Sequence, residues 1–237
     1  MIKEYLFPDN LNLFITDSLQ EFETLKAKGE AVVPVLTDEN RSFPWPHSEY
    51  ILENPDDIDE AYLYRIALRM NNLPWTIAET ERLLIREMTL EDVPHFYRIY
   101  EDSSVTEYME PLYENPEDEL TYTHDYIRQI YHFYEYGIWT IVEKSSGSVI
   151  GRAGIDPQKE SGLPDLGFVI EKSKRHLGYA LEACRAILRY SKNELGLSKI
   201  QARVNPNNIP SVSLLKKLGF SDSYEKSDDL CIFILEE

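Results

Sequence analysis

The chain has 237 residues, a length between those of typical one-domain and two-domain proteins, and 43% of its residues are apolar, which excludes a disordered segment. The formal net charge of -18 argues against a protein that binds nucleic acid, because neutralising phosphates requires an excess of Lys and Arg. We predict no signal peptide, no membrane segment and no disulfide framework, so the sequence favours a reduced cytoplasmic setting.

Residues 1–79 are predicted to form a small Rossmann-like α/β domain. Its predicted elements are a strand over NLFITDS, a helix over LQEFETLKAKG, a buried strand over AVVPVL, a short strand over EYILE and a helix over DIDEAYLYRIALRMNNL, followed by a linker at PWTIAET. The first three elements make one βαβ unit. The second helix has an acidic first turn at Asp57, Asp59 and Glu60.

Residues 80–237 are predicted to form a second α/β domain, whose sheet contains a hairpin and strands joined by helices. Its predicted elements are a strand over RLLIREMT, helices over LEDVPHFYRIYED and TYTHDYIRQIYHFYEYG, a hairpin of IWTIVEK and VIGRAGID, a strand over DLGFVI, a helix over residues 177–195, a strand over KIQARV, a helix over IPSVSLLKKLG and a strand over LCIFILEE. The fold class is therefore α/β with a mixed sheet.

Residues 171–217 reverse the charge of the chain, because they hold ten basic and only three acidic residues, a net charge of +7. Many of these cations are typical of an exposed helix face. The loop from Lys174 to Ala180 is different, since it joins a strand to a helix and directs free amide N–H groups and the positive end of the helix dipole at one place. Gly178 permits close approach of the backbone, so we predict that this loop binds a diphosphate.

Two motifs resemble those of the GNAT-superfamily N-acetyltransferases. DLGFVIEKSKRHLGYALEAC is similar to the acyl-CoA loop of that family, in which Arg or Gln, two residues, Gly, one residue, and Gly or Ala follow one another. RVNPNNIPSVSLLKKLGF resembles the later signature of the family. The matching positions are Arg175, Gly178, Ala180, Asn208, Ser211, Leu218, Gly219 and Phe220. The resemblance covers about residues 80–237 and most resembles the branch that acetylates ribosomal-protein N-termini and related small amines.

The resemblance implies the GNAT fold and acetyl-CoA as the acetyl donor, with no metal. It also implies that the strand over residues 166–170 splays from the strand over residues 199–204, so that backbone groups of the first strand bond the pantetheine arm. The implied CoA-binding residues are Phe168, Val169, Ile170, Arg175, His176, Leu177, Gly178, Tyr179, Ala180, Asn208 and Ser211.

Acetyl transfer to an amine requires a proton acceptor for the amine, polarisation of the thioester carbonyl and a proton donor for the leaving thiolate. By resemblance, Asp165 occupies the position of a glutamate base found in some GNAT enzymes, and Glu171 is the weaker candidate. A backbone N–H of the splayed strand suffices for the carbonyl. Many GNAT enzymes carry a tyrosine as thiolate acid where this chain has Leu215, so Ser211, Ser213 or water is expected to take that role.

Residues 101–127 hold nine carboxylates and no Lys or Arg, with Tyr108, Tyr113, Tyr122 and Tyr126 interleaved. In GNAT enzymes this region borders the acceptor groove. Carboxylates attract a cationic amine and tyrosine faces cover its carbons, so a cationic small molecule or peptide N-terminus is the expected acceptor. The alternative interpretation is an acidic solvated loop over a tyrosine-backed core.

Three functions follow in order of preference. The first is an N-acetyltransferase that uses acetyl-CoA, the second is a non-catalytic acyl-CoA-binding or interaction module, and the third is a phosphatase. The third arises because residues 1–79 faintly resemble part of a haloacid-dehalogenase-type domain, although the Asp-x-Asp nucleophile of that family is absent. The sequence does not identify the acceptor. It also leaves open whether the chain forms a homodimer through the last strand or the aromatic helices.

Overall fold

The computed structural model describes residues 2–45, 48–54, 58–157, 162–227 and 230–236, without the side chains of residues 224–227. The chain divides into two compact units, Met1–Trp75 and Thr76–Glu237. The sequence analysis placed the boundary between residues 79 and 80. Thr76–Glu79, which it assigned to the linker, is a strand that pairs within the second unit. The linker therefore ends earlier than predicted.

The first unit combines a small sheet with two helices. Its elements are β1 (Ile2–Leu6), β2 (Asn12–Thr16), α1 (Leu19–Ala27), β3 (Val32–Pro34) and α2 (Glu60–Met70). β2 and β3 pair in parallel on either side of α1, which confirms the predicted βαβ unit. β1, which the sequence analysis missed, pairs antiparallel with β2. Buried side chains of β2, β3 and α2, such as Leu13, Val33 and Leu63, form the core of this unit.

Polar side chains at the carboxyl edge of β2 and β3 bond to one another. Ser18 caps α1 by accepting a hydrogen bond from the Glu21 amide, and Thr16 donates its hydroxyl to the Glu21 carboxylate at 2.6 Å. The buried Asn40 amide nitrogen donates to the carbonyl oxygens of Asp17 at 2.8 Å and Val35 at 2.9 Å. This edge is accordingly a set of structural hydrogen bonds.

The predicted strand over EYILE is wrong in extent. Only Leu52 pairs, forming an isolated parallel bridge with Val35. The Ser48 hydroxyl donates to the Tyr50 carbonyl at 2.6 Å, and this local bond competes with a continuing strand ladder. α2 begins after Asp59, which caps it by accepting from the Ala61 amide, whereas Asp57 lies outside the described residues.

The second unit is built on a mixed sheet that, within the described ranges, has eight strands in the order β10-β11-β9-β8-β7-β6-β5-β4. Its strands are β4 (Thr76–Glu79), β5 (Leu83–Arg86), β6 (Ile138–Glu143), β7 (Ser148–Asp156), β8 (Asp165–Ile170), β9 (Lys199–Val204), β10 (Ser221–Ser227) and β11 (Leu230–Glu236). Its helices are α3 (Val93–Tyr100), α4 (Ser103–Thr106), α5 (Pro116–Tyr126), α6 (His132–Tyr134), α7 (Tyr179–Asn193) and α8 (Ile209–Lys217), and a π-helical turn over Ile127–Tyr131 joins α5 to α6. The predicted α/β fold with a mixed sheet is confirmed, whereas β4, β10 and α4 were not predicted.

Helices cover both faces of this sheet, since side chains alternate between the faces along each strand. Trp139 of β6 faces α7, where its ring centroid lies 5.7 Å from that of Tyr190. Arg152 of β7 points to the other face, with its guanidinium 5.1 Å from the ring centroid of Phe96 in α3. α5 packs against α3. The sheet therefore separates α7 from α3 and α5.

No membrane-spanning helix is found in the described part of the chain, because none of its helices is both long and apolar enough.

The register partners Gly154 and Gly167 provide a test of how closely β6 and β7 approach. A Cβ atom at Gly154 would lie 2.0 Å from the Gly137 carbonyl oxygen, whereas one at Gly167 would meet only the Ile138 Cδ1 atom at 3.5 Å. We expect Gly154→Ala to lower the free energy of unfolding by about 1–3 kcal/mol, the typical cost of overpacking. Gly167→Ala should change it by less than about 1 kcal/mol. Urea unfolding measures both values, and equal losses would contradict the close approach.

Candidate functional site

The turn between β8 and α7 presents a run of unengaged amide groups. Within the part of the chain that the structure describes, the amide N–H groups of residues 176–181 donate no hydrogen bond. Gly178 is the N-cap residue, with φ of 85°, and its position lacks a side-chain cap. His176 also has a positive φ, of 63°. Free amides at a helix N-terminus are suited to binding an anion.

Glu143, at the end of β6, holds this turn in place. Its Oε2 atom accepts from Lys174 Nζ at 2.8 Å, and its Oε1 atom accepts from the Tyr179 hydroxyl at 2.5 Å. Lys174, followed by Tyr179, lowers the pKa of Glu143 to about 2. The sequence analysis missed Glu143, because one carboxylate at a strand end forms no recognisable motif.

Arg82 places a further cation beside the turn. Its Nη1 atom donates to the Leu177 carbonyl at 3.0 Å, and its Nε atom donates to Glu182 Oε2 at 2.7 Å. The guanidinium carbon lies 4.3 Å from the centroid of the Tyr179 ring, a cation–π contact. Arg82 and Leu177 are 95 residues apart in the chain, so no local pattern could have indicated this contact.

Arg175, predicted to contact a diphosphate, is bonded within the chain. Its Nη1 atom donates to the Ser104 hydroxyl at 2.7 Å, and its Nε atom donates to the Ile170 carbonyl at 3.1 Å. Ser104 in turn donates to Asp102, whose other oxygen lies 2.7 Å from Lys172 Nζ. Lys172, followed by Ser104, holds the pKa of Asp102 well below its usual range. These contacts join the turn to α4 in the acidic stretch.

β8 and β9 run parallel but diverge. Among the described residues their single register pair is Asp165 with Gln201. The Gln201 amide also donates to the Pro164 carbonyl at 2.9 Å. On its other side β8 pairs with β7 along its whole length. Residues 168–170 therefore lie along an opening between β8 and β9, as the predicted splay requires.

Asn208 and Ser211 lie at the start of α8, the helix that follows β9. The Asn208 Oδ1 atom accepts from the Ser211 amide at 3.3 Å, which makes Asn208 the N-cap of this helix. The Ser211 side chain is half-buried in the first turn. Leu215, one turn later, is 1% exposed and belongs to the core.

Asp165 lies where the two strands part and is 8% exposed. Its Oδ2 atom accepts from Arg203 Nε at 2.5 Å, and its Oδ1 atom accepts from the Arg203 amide at 3.3 Å. Burial raises the pKa of Asp165 above its ordinary value, although Arg203 acts in the opposite direction. Its register partner on β7 is Asp156. The side chains of Asp156 and Asp165 lie on the sheet face covered by α3 and α5. Alternate residues of a strand share a face, and Asp156 therefore lies on the same face of β7 as Arg152.

Tyrosine rings of the acidic stretch pack in a row. The ring centroids of Tyr113 and Tyr122 are 5.7 Å apart, and those of Tyr122 and Tyr126 are 6.1 Å apart. Tyr113 and Tyr122 are exposed, whereas the Tyr126 hydroxyl accepts from the Ile138 amide at 2.8 Å. The row thus runs from solvent to β6.

The remaining predicted residues of the turn differ in exposure and in the groups that a ligand can reach. The side chains of His176 and Leu177 are exposed, and Ala180 is half-buried in the first turn of α7. The Tyr179 hydroxyl is taken by Glu143, so its backbone amide is the group available to a ligand. In the described segments, no three His, Cys, Asp or Glu side chains are placed to hold a metal ion.

A family model described as an acetyltransferase (GNAT) domain matches residues 82–221 of this chain. The curated relative named uncharacterized N-acetyltransferase p20, from Bacillus licheniformis, is 31% identical over 157 residues. That alignment covers 62% of this chain and 86% of the relative.

Solved structures share the fold of the second unit. A GNAT-family acetyltransferase from Bacillus anthracis has a TM-score of 0.57 at 21% identity, covering 67% of this chain and 96% of its own. The ribosomal-protein-S5-alanine acetyltransferase from Vibrio fischeri has a TM-score of 0.58 at 14% identity, covering 69% of this chain and 96% of its own. At these identities the likeness concerns the fold alone.

The anchoring of the turn by Glu143 predicts a pH-dependent stability. The pKa of this carboxyl is about 2 in the folded protein against an ordinary 4.5, so its contribution is present above about pH 4.5 and lost as the pH falls towards 2. We expect Glu143→Gln to lower Tm at pH 7, and the difference from wild type to shrink across that range. Calorimetry with Glu114→Gln, an exposed carboxylate, as control measures it. A difference in Tm that does not vary with pH would contradict this role.

Proposed function

This chain belongs to the GNAT acetyltransferase family, and on that premise we propose that it transfers the acetyl group of acetyl-CoA to a primary amine of a cationic small molecule or a peptide N-terminus. The observation that carries the proposal is the run of unengaged amides at residues 176–181, at the end of the strand that diverges from β9.

The geometry of the turn fits the diphosphate of CoA. A Cβ atom at Gly178 would meet only the Arg82 Nη2 atom, at 3.5 Å, so the exposed backbone is open to close approach. Arg82 and Arg175 add positive charge beside the amides. Arg175 is bonded to Ser104, so its guanidinium must leave that hydroxyl to reach a phosphate. Binding of the donor is therefore expected to loosen the link between the turn and α4.

The opening between β8 and β9 supports binding of the pantetheine arm. Backbone groups of residues 168–170 that face this opening are available in the manner of strand addition, because only the first residue of β8 pairs with β9 in the described chain. The exception is the Ile170 carbonyl, which accepts from Arg175 Nε. Asn208 and Ser211 lie at the start of α8, the helix that follows β9. We assign them polar contacts to the same arm.

Acetyl-CoA supplies the acetyl group as a thioester, and residues of this chain orient the amine and move its proton. We assign Asp165 the role of base, because burial raises its pKa and Arg203 holds its carboxylate at the point of divergence. We assign Ser211 as proton donor to the thiolate, since Leu215 is in the core. The non-catalytic alternative rested on Leu215 alone, and family membership argues for turnover.

The acceptor class rests on this chain's own acidic face, since the ribosomal-protein acetyltransferase likeness at 14% identity extends only to the fold. Asp156 and Asp165 occupy the sheet face that carries α3 and α5, where the tyrosine row also lies. A cationic amine is attracted by the carboxylates and covered by the rings.

We propose that the first unit is a non-catalytic scaffold. Side chains at the carboxyl edge of its parallel strands, including Thr16, Ser18 and Asn40, are bonded to neighbouring groups of the same edge. Release of phosphate from a generic phosphate ester by the purified chain would contradict this role.

Release of free thiol from acetyl-CoA in the presence of a panel of primary amines tests the function. We expect release that depends on the amine and is faster with cationic acceptors. Tight binding of CoA without turnover on any amine would favour a binding module instead.

The proposed diphosphate site predicts that Gly178→Glu weakens CoA binding by at least about tenfold, because the new carboxylate blocks the amides and repels phosphate. Gly196→Glu is the matched control. Gly196 also has a positive φ, of 66°, follows the same helix and would have no atom within 4 Å of an added Cβ. Isothermal calorimetry with CoA measures both variants, and equal affinities would refute the placement of the site.

The proposed base predicts that Asp165→Asn lowers kcat by about 10²-fold or more, with little change in the Kd of CoA. The acid limb of the pH–rate profile should also flatten, since the titrating carboxyl is gone. Steady-state kinetics and CoA calorimetry on one preparation separate the two effects. A parallel loss of CoA affinity would show instead that the ion pair with Arg203 acts by holding β8 and β9 together.

A further inference from the structure

Glu119 of α5 carries a buried carboxylate oxygen that no group in the described residues satisfies. The residue is 2% exposed. Its Oε2 atom accepts from the Tyr113 amide at 3.1 Å, whereas its Oε1 atom has no hydrogen-bond partner in that part of the chain. An unpaired carboxylate oxygen in such a place is costly, so a water molecule or a bound cation must satisfy it.

Three tyrosines surround this carboxylate. The Tyr97 hydroxyl donates to the Tyr113 carbonyl at 2.6 Å, which closes the loop before α5 over Glu119. The ring of Tyr122 lies 5.7 Å from that of Tyr113, and these two residues are 46% and 53% exposed. Glu119 also interacts electrostatically with the hydroxyls of Tyr97 and Tyr122. Because Oε1 is buried, a ligand reaches it only when one of the two exposed tyrosine side chains moves aside.

The tyrosine rings favour one of these two ways of satisfying Oε1. A water molecule gains little from ring faces, whereas an alkylammonium group gains both the carboxylate and a cation–π contact. Arg152, a cation beside this row, does not fill the role. Its guanidinium donates to the Tyr100 hydroxyl at 2.7 Å and packs over the rings of Phe96 and Tyr100.

We propose that Glu119, together with Tyr97, Tyr113 and Tyr122, binds the second ammonium group of the acceptor, so that the acceptor is a short aliphatic diamine. This inference rests on the proposed acetyl transfer to a cationic amine. Glu119 acts as a specificity determinant, because it touches the end of the acceptor that does not react.

The tyrosine row links this site to the proposed base. Tyr122 packs against Tyr126, whose hydroxyl accepts from the Ile138 amide. Ile138 is the register partner of Gly154, two residues before Asp156 on the same strand face. Asp156 and Glu119 both interact electrostatically with Tyr122. One ammonium group at Glu119 and the reacting amine near Asp156 and Asp165 are thus placed on either side of Tyr122, as the two ends of one short acceptor.

The test compares butylamine with 1,4-diaminobutane, which differ by one terminal ammonium group, as acceptors for the full chain. We expect wild type to favour the diamine in kcat/KM by about tenfold or more, the effect of one hydrogen-bonded charge pair. Glu119→Gln should remove that preference by lowering kcat/KM for the diamine far more than for butylamine, since the amide oxygen still accepts from Tyr113. Glu91→Gln, an exposed carboxylate outside the acidic stretch, should retain the preference.

Equal turnover of the two amines by wild type, or an equal loss on both in Glu119→Gln, would overturn the proposal. If neither amine is acetylated, the proposed reaction with these acceptors fails, and calorimetric binding of 1,4-diaminobutane in the presence of CoA decides the site by itself. A Kd raised about tenfold by Glu119→Gln and unchanged by Glu91→Gln would support the ammonium site. Absence of binding, or a Kd that Glu119→Gln leaves unchanged, would overturn it.

Discussion

The parallel strands β8 and β9 meet at Asp165 and Gln201 and then separate, and the proposed binding of the donor depends on that separation. If β8 and β9 paired along their whole length, the backbone groups of residues 168–170 that face β9 would be used in the sheet. If the two strands did not pair at all, the turn after β8 and the start of α8 would not be held close to each other. The ion pair between Asp165 and Arg203 joins the strands at the one point where they still pair in the described chain.

The turn after β8 likewise combines amides that lack an acceptor in the described chain with side chains that are hydrogen-bonded. Gly178 offers no side chain to cap α7, so the first amides of the helix stay without acceptors in the described chain. Such groups cost free energy unless water or a ligand bonds them. The side chains around them are instead tied down, Lys174 and Tyr179 by Glu143, and Arg82 by Glu182. A rigid frame that leaves its amides unsatisfied is preorganised for an anion.

Local patterns explain how much of this could be predicted from the sequence. A short apolar run predicted β8, the segment KIQARV was predicted as β9, and the glycine between a strand and a helix predicted the turn. The segment TIAE was assigned to the linker in the sequence analysis. It is short, and its pairing with β5 makes it a strand. EYILE looked like a strand, but the Ser48 hydroxyl bonds the Tyr50 carbonyl and limits pairing to Leu52. Strand propensity takes no account of such competing side-chain hydrogen bonds.

The contacts that complete the site lie beyond any sequence pattern for a related reason. Glu143 and Lys174 are 31 residues apart, and Arg82 and Glu182 are 100 apart, so only the folded sheet brings each pair together. The buried state of Glu119 is equally invisible, because the sequence presents it as one of nine carboxylates in a polar stretch. Composition identified the acidic region, whereas packing distinguishes a carboxylate in it that is enclosed by tyrosines.

In the second unit, opposite charges lie at the two ends of the β7–β8 pair. Residues 171–217 carry a net charge of +7 in a chain of -18, and the basic turn at the start of α7 stands at the carboxyl end of β8. Asp156 and Asp165 lie at the opposite end of the β7–β8 pair, on the face of α3 and α5. Screening confines each field to roughly 8 Å at physiological salt. In the proposed reaction, an anionic donor and a cationic acceptor are therefore drawn to different ends of the same strands and meet where β8 and β9 part.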